Sequence, residues 1–453
     1  MITPEIKEMK RSEKTYILSF VLVSFLIAGC AGNRDKHSLD KFFAEQLIAC
    51  NRNLTKVVIT DVLTPPVCSR VYAYTNIAAH EALSAGKNSY AGKLNNLTKV
   101  PAPEGKAKDY YLPLSSIIAF CTVAEKVVFN SEAVKKMEED FLAEVEQFDI
   151  DPEVYERSVK YGREVGGFII GWASKDGYLQ RNSFPAYIVT KENWRWQPTP
   201  PDYTDAVEPN WHTLRPFVLD SASQFRPVMP ELLDTAQKSS YYKNVMEVYE
   251  AVRNQDNERI EIAKFWDCNP NISITSGHVT YFQQKISPAG HWLNIATTIL
   301  EEKKTTIEKS AQVLSTLSIA IADGFINCWE AKFHYNTIRP ETIINRYIDK
   351  DWRPLLQTPP FPEYPSGHSV VSGASAVILT NMFGDNYSYT DSTEVPFGIP
   401  ARKYTSFNEA AREASLSRLY GGIHYLPALN NGLEEGKRIG EYVLSKLSSK
   451  EKR

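Results

Sequence analysis

The chain has 453 residues and is 43% hydrophobic, enough for one large core or two ordinary domains. A formal net charge of -3 and a pI near 6.3 leave no basic stripe able to neutralise a phosphate backbone, which argues against a nucleic-acid partner. Six cysteines without CxxC spacing make neither a zinc-site pattern nor a dense disulfide framework.

In chain order, Lys10, Arg11 and Lys14 precede the apolar run Ile17 to Ala28, too short to span a bilayer comfortably and of signal-peptide length. Ile27 to Cys30 reads Ile-Ala-Gly-Cys and resembles the bacterial lipobox. That resemblance implies a signal peptide over 1–30, a lipidated Cys30 and a membrane-anchored protein of the bacterial cell envelope, on its periplasmic or cell-surface side. The alternative is a secretory signal cleaved nearby, with Cys30 incidental. A single bridge such as Cys50 to Cys68 is compatible with an oxidising periplasm, although spacing does not define it.

Beyond the leader, most periodic segments predict helix, and neither alternating strands nor an internal repeat stands out. Asn95 to Leu112, rich in Pro, Lys and Asn, predicts a surface loop. Asn182 to Glu231 combines many prolines with Trp194, Trp196, Trp211, Phe217 and Phe225, an aromatic content that disordered linkers lack, so an ordered, packed loop is expected. Val313, Leu317, Ile321, Phe325 and Trp329 recur every four residues and lead into Lys332. Val370, Val371, Ala374, Val377, Ile378 and Met382 keep a second helical rhythm up to a stop at Gly384. Leu433, Ile439, Val443 and Leu444 define a third helix, whose Gly432, Gly436 and Gly440 would let a neighbour approach closely.

Three cationic or imidazole clusters lie in the last third. Lys332 and Arg339 are seven residues apart, which on one continuous helix puts them on one face about 10 Å apart along the axis. Pro340 disfavours helical geometry at Arg339, placing it at a helix end. Ser366, Gly367 and His368 open the Val370 helix, where N–H groups, the helix dipole and the Ser366 hydroxyl suit an anion and His368 can exchange a proton with it. Arg418 and His424 are separated by Gly421 and Gly422, which mark a break that redirects the histidine. Two guanidinium forks, an ammonium, a hydroxyl and two imidazoles suit a phosphate-like group.

Lys-x6-Arg-Pro, Pro-Ser-Gly-His and Ser-Arg-x5-His, in this order, resemble the three-part signature of the type-2 phosphatidic-acid phosphatase and vanadium haloperoxidase superfamily. The flanking segments Ala331 to Pro340, Phe361 to Ser369 and Ser417 to Tyr425 look like the bacterial haloperoxidase branch, as do Gln197 to Pro201, Leu214 to Phe217, Gln224 to Pro227, Phe265 to Asp267 and Gly290 to Trp292. The resemblance implies an all-α helical-bundle fold in two halves, 31–255 and 256–447, the second carrying the site. It implies that Lys332, Arg339, Ser366, Gly367 and Arg418 hold oxyanion oxygens, that His368 acts as acid or base, and that His424 bonds the central atom.

In a haloperoxidase, His424 coordinates vanadate as the cofactor, Lys332 polarises bound peroxide, and the substrates are halide and peroxide. In an acid phosphatase of the same superfamily, His424 is the nucleophile toward a phosphate ester and no cofactor is needed. The chain departs from the family at one place: where a His-x3-Asp carboxylate commonly orients the histidine, it has Ala428. Either another acceptor replaces it, Asp323 being the nearest candidate, or the protein is a catalytically impaired oxyanion-binding lipoprotein.

Overall fold

The computed structural model describes residues 38–448 apart from 271, 277 and 283. Cys30 and the leader lie outside the described residues. The architecture is all-α, with thirteen α-helices among the described residues. The N-terminal helices are α1 (38–60), α2 (Pro65–Ser84), α3 (Leu112–Val127), α4 (Ser131–Val145) and α5 (Pro152–Ala173). After a long loop come α6 (Ser240–Arg253), α7 (Asn257–Phe265), α8 (Pro288–Glu302), α9 (Ile307–Tyr335) and α10 (Pro340–Tyr347). The site-bearing helices α11 (Gly367–Phe383), α12 (Phe407–Tyr420) and α13 (Leu426–Ser448) complete the fold.

Helix α9 is the axis. The Thr306 hydroxyl accepts the Lys309 N–H as its N-cap, and nearly every side chain from Ile307 to Trp329 is buried. It is long and apolar enough to cross a membrane, but 94% of its apolar window is enclosed by the other helices. Helices α2, α8, α11 and α13 pack around it, and α3 and α5 pack on α2. One hydrophobic core runs from Phe43 on α1 to Leu447 on α13.

The glycine edge of α13 meets α11, as its spacing predicts. A Cβ at Gly436 would lie 2.0 Å from the Val370 carbonyl oxygen, so backbone touches backbone. This contact fixes α13 relative to the N-terminus of α11, where Ser366 donates its N–H to the Ala428 carbonyl at 3.1 Å.

Three expectations need correction. Two antiparallel hairpins exist: β1 (Ser273–Ser276) pairs with β2 (Val279–Phe282), and β3 (Tyr389–Asp391) with β4 (Arg402–Tyr404). Strands of three or four residues are too short to display an alternating pattern. The Cys50–Cys68 bridge is not formed. All five described cysteines are free and buried, Cys68 donates to the Leu63 carbonyl at 3.3 Å, and Cys50 instead neighbours Cys121. The aromatic loop is ordered and packed, with Trp196, Trp211 and Phe217 buried, yet Trp194 is 39% exposed and belongs to the surface rather than the core.

Candidate active site

Lys332 and Arg339 do not share a helix. Asn336 takes a left-handed conformation (φ 52°) that ends α9, and Arg339, extended before Pro340, becomes the N-cap of α10. The break is held by the aromatic loop, since Trp196 donates to the Asn336 carbonyl at 3.0 Å and Ile338 to that of Trp194 at 3.2 Å. Convergence of the two cations therefore comes from the break between α9 and α10, not from helical periodicity. The Gly421–Gly422 break is present as expected: α12 stops at Tyr420, and Gly422 has φ +78°, a conformation that strains any other residue.

These turns gather the predicted residues into one buried place. Gly367, His368, Arg418 and His424 line a small cleft together with Phe325, Trp329 and Phe361. Arg339 reaches His424 itself, its Nη1 lying 3.1 Å from Nε2, and also donates to the Ile423 and Phe361 carbonyls. Arg418 Nη1 is 3.5 Å from His368 Nε2. Ser366 is the N-cap of α11, accepting the Ser369 N–H at 3.3 Å, which leaves its hydroxyl proton to donate. A Cβ at Gly367 would meet nothing closer than Trp329 at 3.6 Å, so protein packing does not require glycine there.

Lys332 is directed elsewhere than a simple oxyanion contact implies. Its buried ammonium donates to the carbonyls of Pro362 (2.9 Å), Glu363 (3.0 Å) and Pro365 (2.5 Å), using all three N–H groups to shape the loop before Ser366. A contact to an anion requires it to release one of them. Burial lowers its pKa to about 8.

The acceptor that Ala428 lacks is Glu363. Its Oε1 lies 2.8 Å from His424 Nδ1 and also accepts the Tyr425 N–H at 3.1 Å. Asp323 does not serve: its carboxylate is occupied by the backbone N–H groups of Phe217, Val218 and Leu219, fastening the aromatic loop to α9. Sequence reasoning missed Glu363 because it belongs to a different motif from His424, 61 residues away. The one available signal was a carboxylate three residues before Ser366, in a segment that has to approach the site.

These contacts determine the state of His424. A guanidinium has no acceptor, so His424 Nε2 receives the Arg339 hydrogen bond and the ring proton sits on Nδ1, donated to Glu363. Burial and then the Arg339, Lys332 and Arg418 charges hold its pKa well below the usual imidazole range. Burial and Arg418 do the same to His368. Burial pushes the Glu363 carboxyl up to about 7, against the pull of Arg339 and Lys332.

The remaining described histidines lie outside this cleft. His334 is exposed beside Tyr335, His278 is exposed and His212 half-buried. His80 is stacked on Tyr90 at 4.1 Å, and His291 is fully buried.

Glu435 on α13 is a second buried carboxyl facing the Lys332 charge, with neither oxygen hydrogen-bonded among the described residues. Burial holds its pKa well above the usual carboxylate range, against the charges of Lys332 and Arg438. A raised folded-state pKa means that its stabilising contribution is complete below the unfolded value and is lost as pH rises through the folded one. Glu435→Gln is expected to raise stability at pH 8 by about 1–3 kcal/mol, because the neutral amide removes the cost of protonating or charging the buried carboxyl there, with little change at pH 4. Urea denaturation at both pH values checks this, and equal effects at the two would refute it.

A neutral, oriented imidazole beside two guanidinium groups at a helix N-terminus defines a helical oxyanion-binding site. Arg339 Nη2 and Arg418 Nη2 are both buried without a hydrogen-bond partner among the described residues. Two such orphaned cationic donors fit an oxyanion with several equatorial oxygens, and the unprotonated His424 Nε2 suits a central metal atom once Arg339 Nη1 yields the lone pair it now occupies.

Comparison with known proteins agrees with this geometry. Residues 312–452 match the family model of the VCPO second helical-bundle domain. The fold resembles a bacterial vanadium-dependent iodoperoxidase at TM-score 0.84 and 41% identity, covering 89% of this chain and 96% of that one. It also resembles the holo form of a bacterial vanadium-dependent chloroperoxidase (TM-score 0.66, 18% identity, 85% and 93% covered) and the apo form (0.64, 18%, 85% and 95%). At that identity the chloroperoxidases speak to the fold alone. No curated protein matches the sequence. The chain belongs to the vanadium-dependent haloperoxidase family.

Proposed function

We propose that this enzyme oxidises halide with hydrogen peroxide, with vanadate held at His424 and iodide as the preferred halide. The observation that carries the reading is the protonation of His424: the hydrogen bonds to Glu363 and Arg339 keep Nε2 unprotonated, beside guanidinium groups with unused donors. Iodide is favoured by the 41% identity to the iodoperoxidase. Bound vanadate would supply a Lewis-acidic centre at which peroxide becomes reactive toward halide. The chain's own contributions are distinct. His424 Nε2 offers a metal ligand, Arg339 and Arg418 offer Nη2 to equatorial oxygens, and Ser366 with the first amides of α11 adds neutral donors. His368, neutral when the cleft holds no anion, takes up a proton more readily once an anion offsets Arg418, so it can accept and return a proton at Nε2.

Purified protein assayed in parallel for vanadate- and peroxide-dependent iodide oxidation and for phosphate-ester hydrolysis is expected to show the first. Hydrolysis alone would overturn the proposal. Arg339→Lys and Arg418→Lys keep the charge but lose the planar fork, and each is expected to weaken vanadate binding by about 1–3 kcal/mol in calorimetry. Unchanged affinity in both would remove the arginines from the site.

The lipobox-like segment supports a further proposal, a lipid anchor at Cys30 holding the enzyme on the bacterial envelope. Mass spectrometry of the mature N-terminus is expected to find a diacylated cysteine, and an unmodified terminus elsewhere would remove the anchor.

A further inference from the structure

Next to the His368 side of the cleft, four buried groups that the proposed reaction does not use come together from four segments. Cys268 follows α7, His291 lies in the first turn of α8, Asp391 ends β3, and Glu394 precedes the short 3-10 turn Val395–Phe397. All four are at least nine-tenths buried, with His291 and Cys268 at 0% and 1% exposure. His291 Nε2 lies 2.8 Å from Asp391 Oδ2. On the other side of the ring, Nδ1 lies 3.4 Å from Cys268 Sγ and 3.3 Å from Glu394 Oε1. Trp266 stacks on the imidazole at 4.4 Å and fixes its plane.

We propose that Cys268 Sγ, His291 Nδ1 and Glu394 Oε1 form a binding site for one divalent transition-metal ion, zinc being the best match, with Asp391 orienting the histidine from outside. Three observations support it. First, the three ligand atoms all lie within 4.8 Å of one another. A tetrahedral zinc ion, with bonds of about 2.0 Å to nitrogen and oxygen and about 2.3 Å to sulfur, separates N from S by about 3.5 Å and N from O by about 3.3 Å. The observed 3.4 and 3.3 Å match those edges.

Second, the order Asp391, His291, metal is the usual arrangement of a ligating histidine, whose other nitrogen donates to a carboxylate so that the coordinating one carries the lone pair. Third, Glu394 Oε1 is buried and accepts no hydrogen bond among the described residues although His291 Nδ1 is its neighbour, the state expected of an oxygen whose partner is an ion. A mixed S, N, O set selects a borderline ion rather than calcium or magnesium, and three protein ligands leave a fourth position for water. The ion would take the place of the Cys268 thiol proton. Ligands at 268, 291 and 394 have no short spacing, which is why the sequence shows no zinc pattern.

The proposed ligands differ from those at His424, although Cys268 also lines that cleft, and metal binding can be tested without vanadate or activity. Full-length protein, treated with chelator, would be titrated with cobalt(II) as the probe and desalted. The expected result is retention of about one equivalent with a thiolate-to-cobalt charge-transfer band, reversed by excess zinc. Cys268→Ser should abolish the band, and Asp391→Asn should keep it while weakening cobalt binding about 10–100-fold. Should Cys268→Ser fail to fold, the wild-type spectrum decides alone. Substoichiometric cobalt, or bound cobalt without a thiolate band, would overturn the proposal and leave the cluster as an imidazolium bridging two carboxylates.

Discussion

Glu363→Gln should lower vanadate affinity and halide oxidation by about 10–100-fold, the range seen when the partner of a metal-bound histidine is removed. The carboxylate accepts from His424 Nδ1 at 2.8 Å in a buried site, and it fixes the tautomer that leaves Nε2 without a proton. Glutamine keeps the size, but its amide either accepts more weakly or presents N–H groups that turn the imidazole to the wrong tautomer. Ala428→Asp separates this account from the family pattern. Because Glu363 already holds Nδ1, a carboxylate at the 1% exposed Ala428 is redundant and adds a buried charge, so it should bring no gain in turnover and a loss of stability of at least about 2 kcal/mol. Turnover and vanadate titration of wild type, Glu363→Gln and Ala428→Asp decide the matter. Glu363→Gln within twofold of wild type, or a large gain from Ala428→Asp, would show that the orienting group lies elsewhere.

Gly436→Ala should destabilise the protein by about 2 kcal/mol or more despite the better helix propensity of alanine, which is worth about 1 kcal/mol. The new Cβ would sit 2.0 Å from the Val370 carbonyl oxygen and 2.8 Å from its carbon, and neither belongs to a side chain that can rotate away. Helices α11 and α13 have to separate. The same contact positions the oxyanion site: a Cβ at Gly432, one turn earlier, would meet the Ser366 carbonyl oxygen at 3.0 Å, and Ser366 itself is bonded to Ala428. Gly167→Ala on α5, with nothing within 4 Å of its added carbon, should instead stabilise by up to about 1 kcal/mol. Chemical denaturation of the two variants against wild type measures the difference, and equal midpoints would show that the α11–α13 contact tolerates a side chain.

The sequence by itself determined the features that depend on neighbours along the chain. The apolar rhythm of α9, α11 and α13 predicts those helices because burial follows the 3.6-residue repeat. Gly384, Pro340 and the Gly421–Gly422 pair mark real ends and breaks because their backbone preferences act locally. The residue types of the oxyanion site were legible for the same reason, each motif being short. Only the tertiary structure decided which distant group completes each buried one. Glu363 rather than Asp323 faces His424 because the helix break at Asn336 and a loop held by Lys332 bring Pro362 to Pro365 beside the histidine, while Asp323 is taken by the backbone of Phe217 to Leu219. Arg339 meets His424 for the same reason, and Cys268, His291, Asp391 and Glu394 meet although no spacing connects them. A buried charge or lone pair has to find a partner wherever the packed helices place one, and packing is a property of the whole chain that local propensity does not contain.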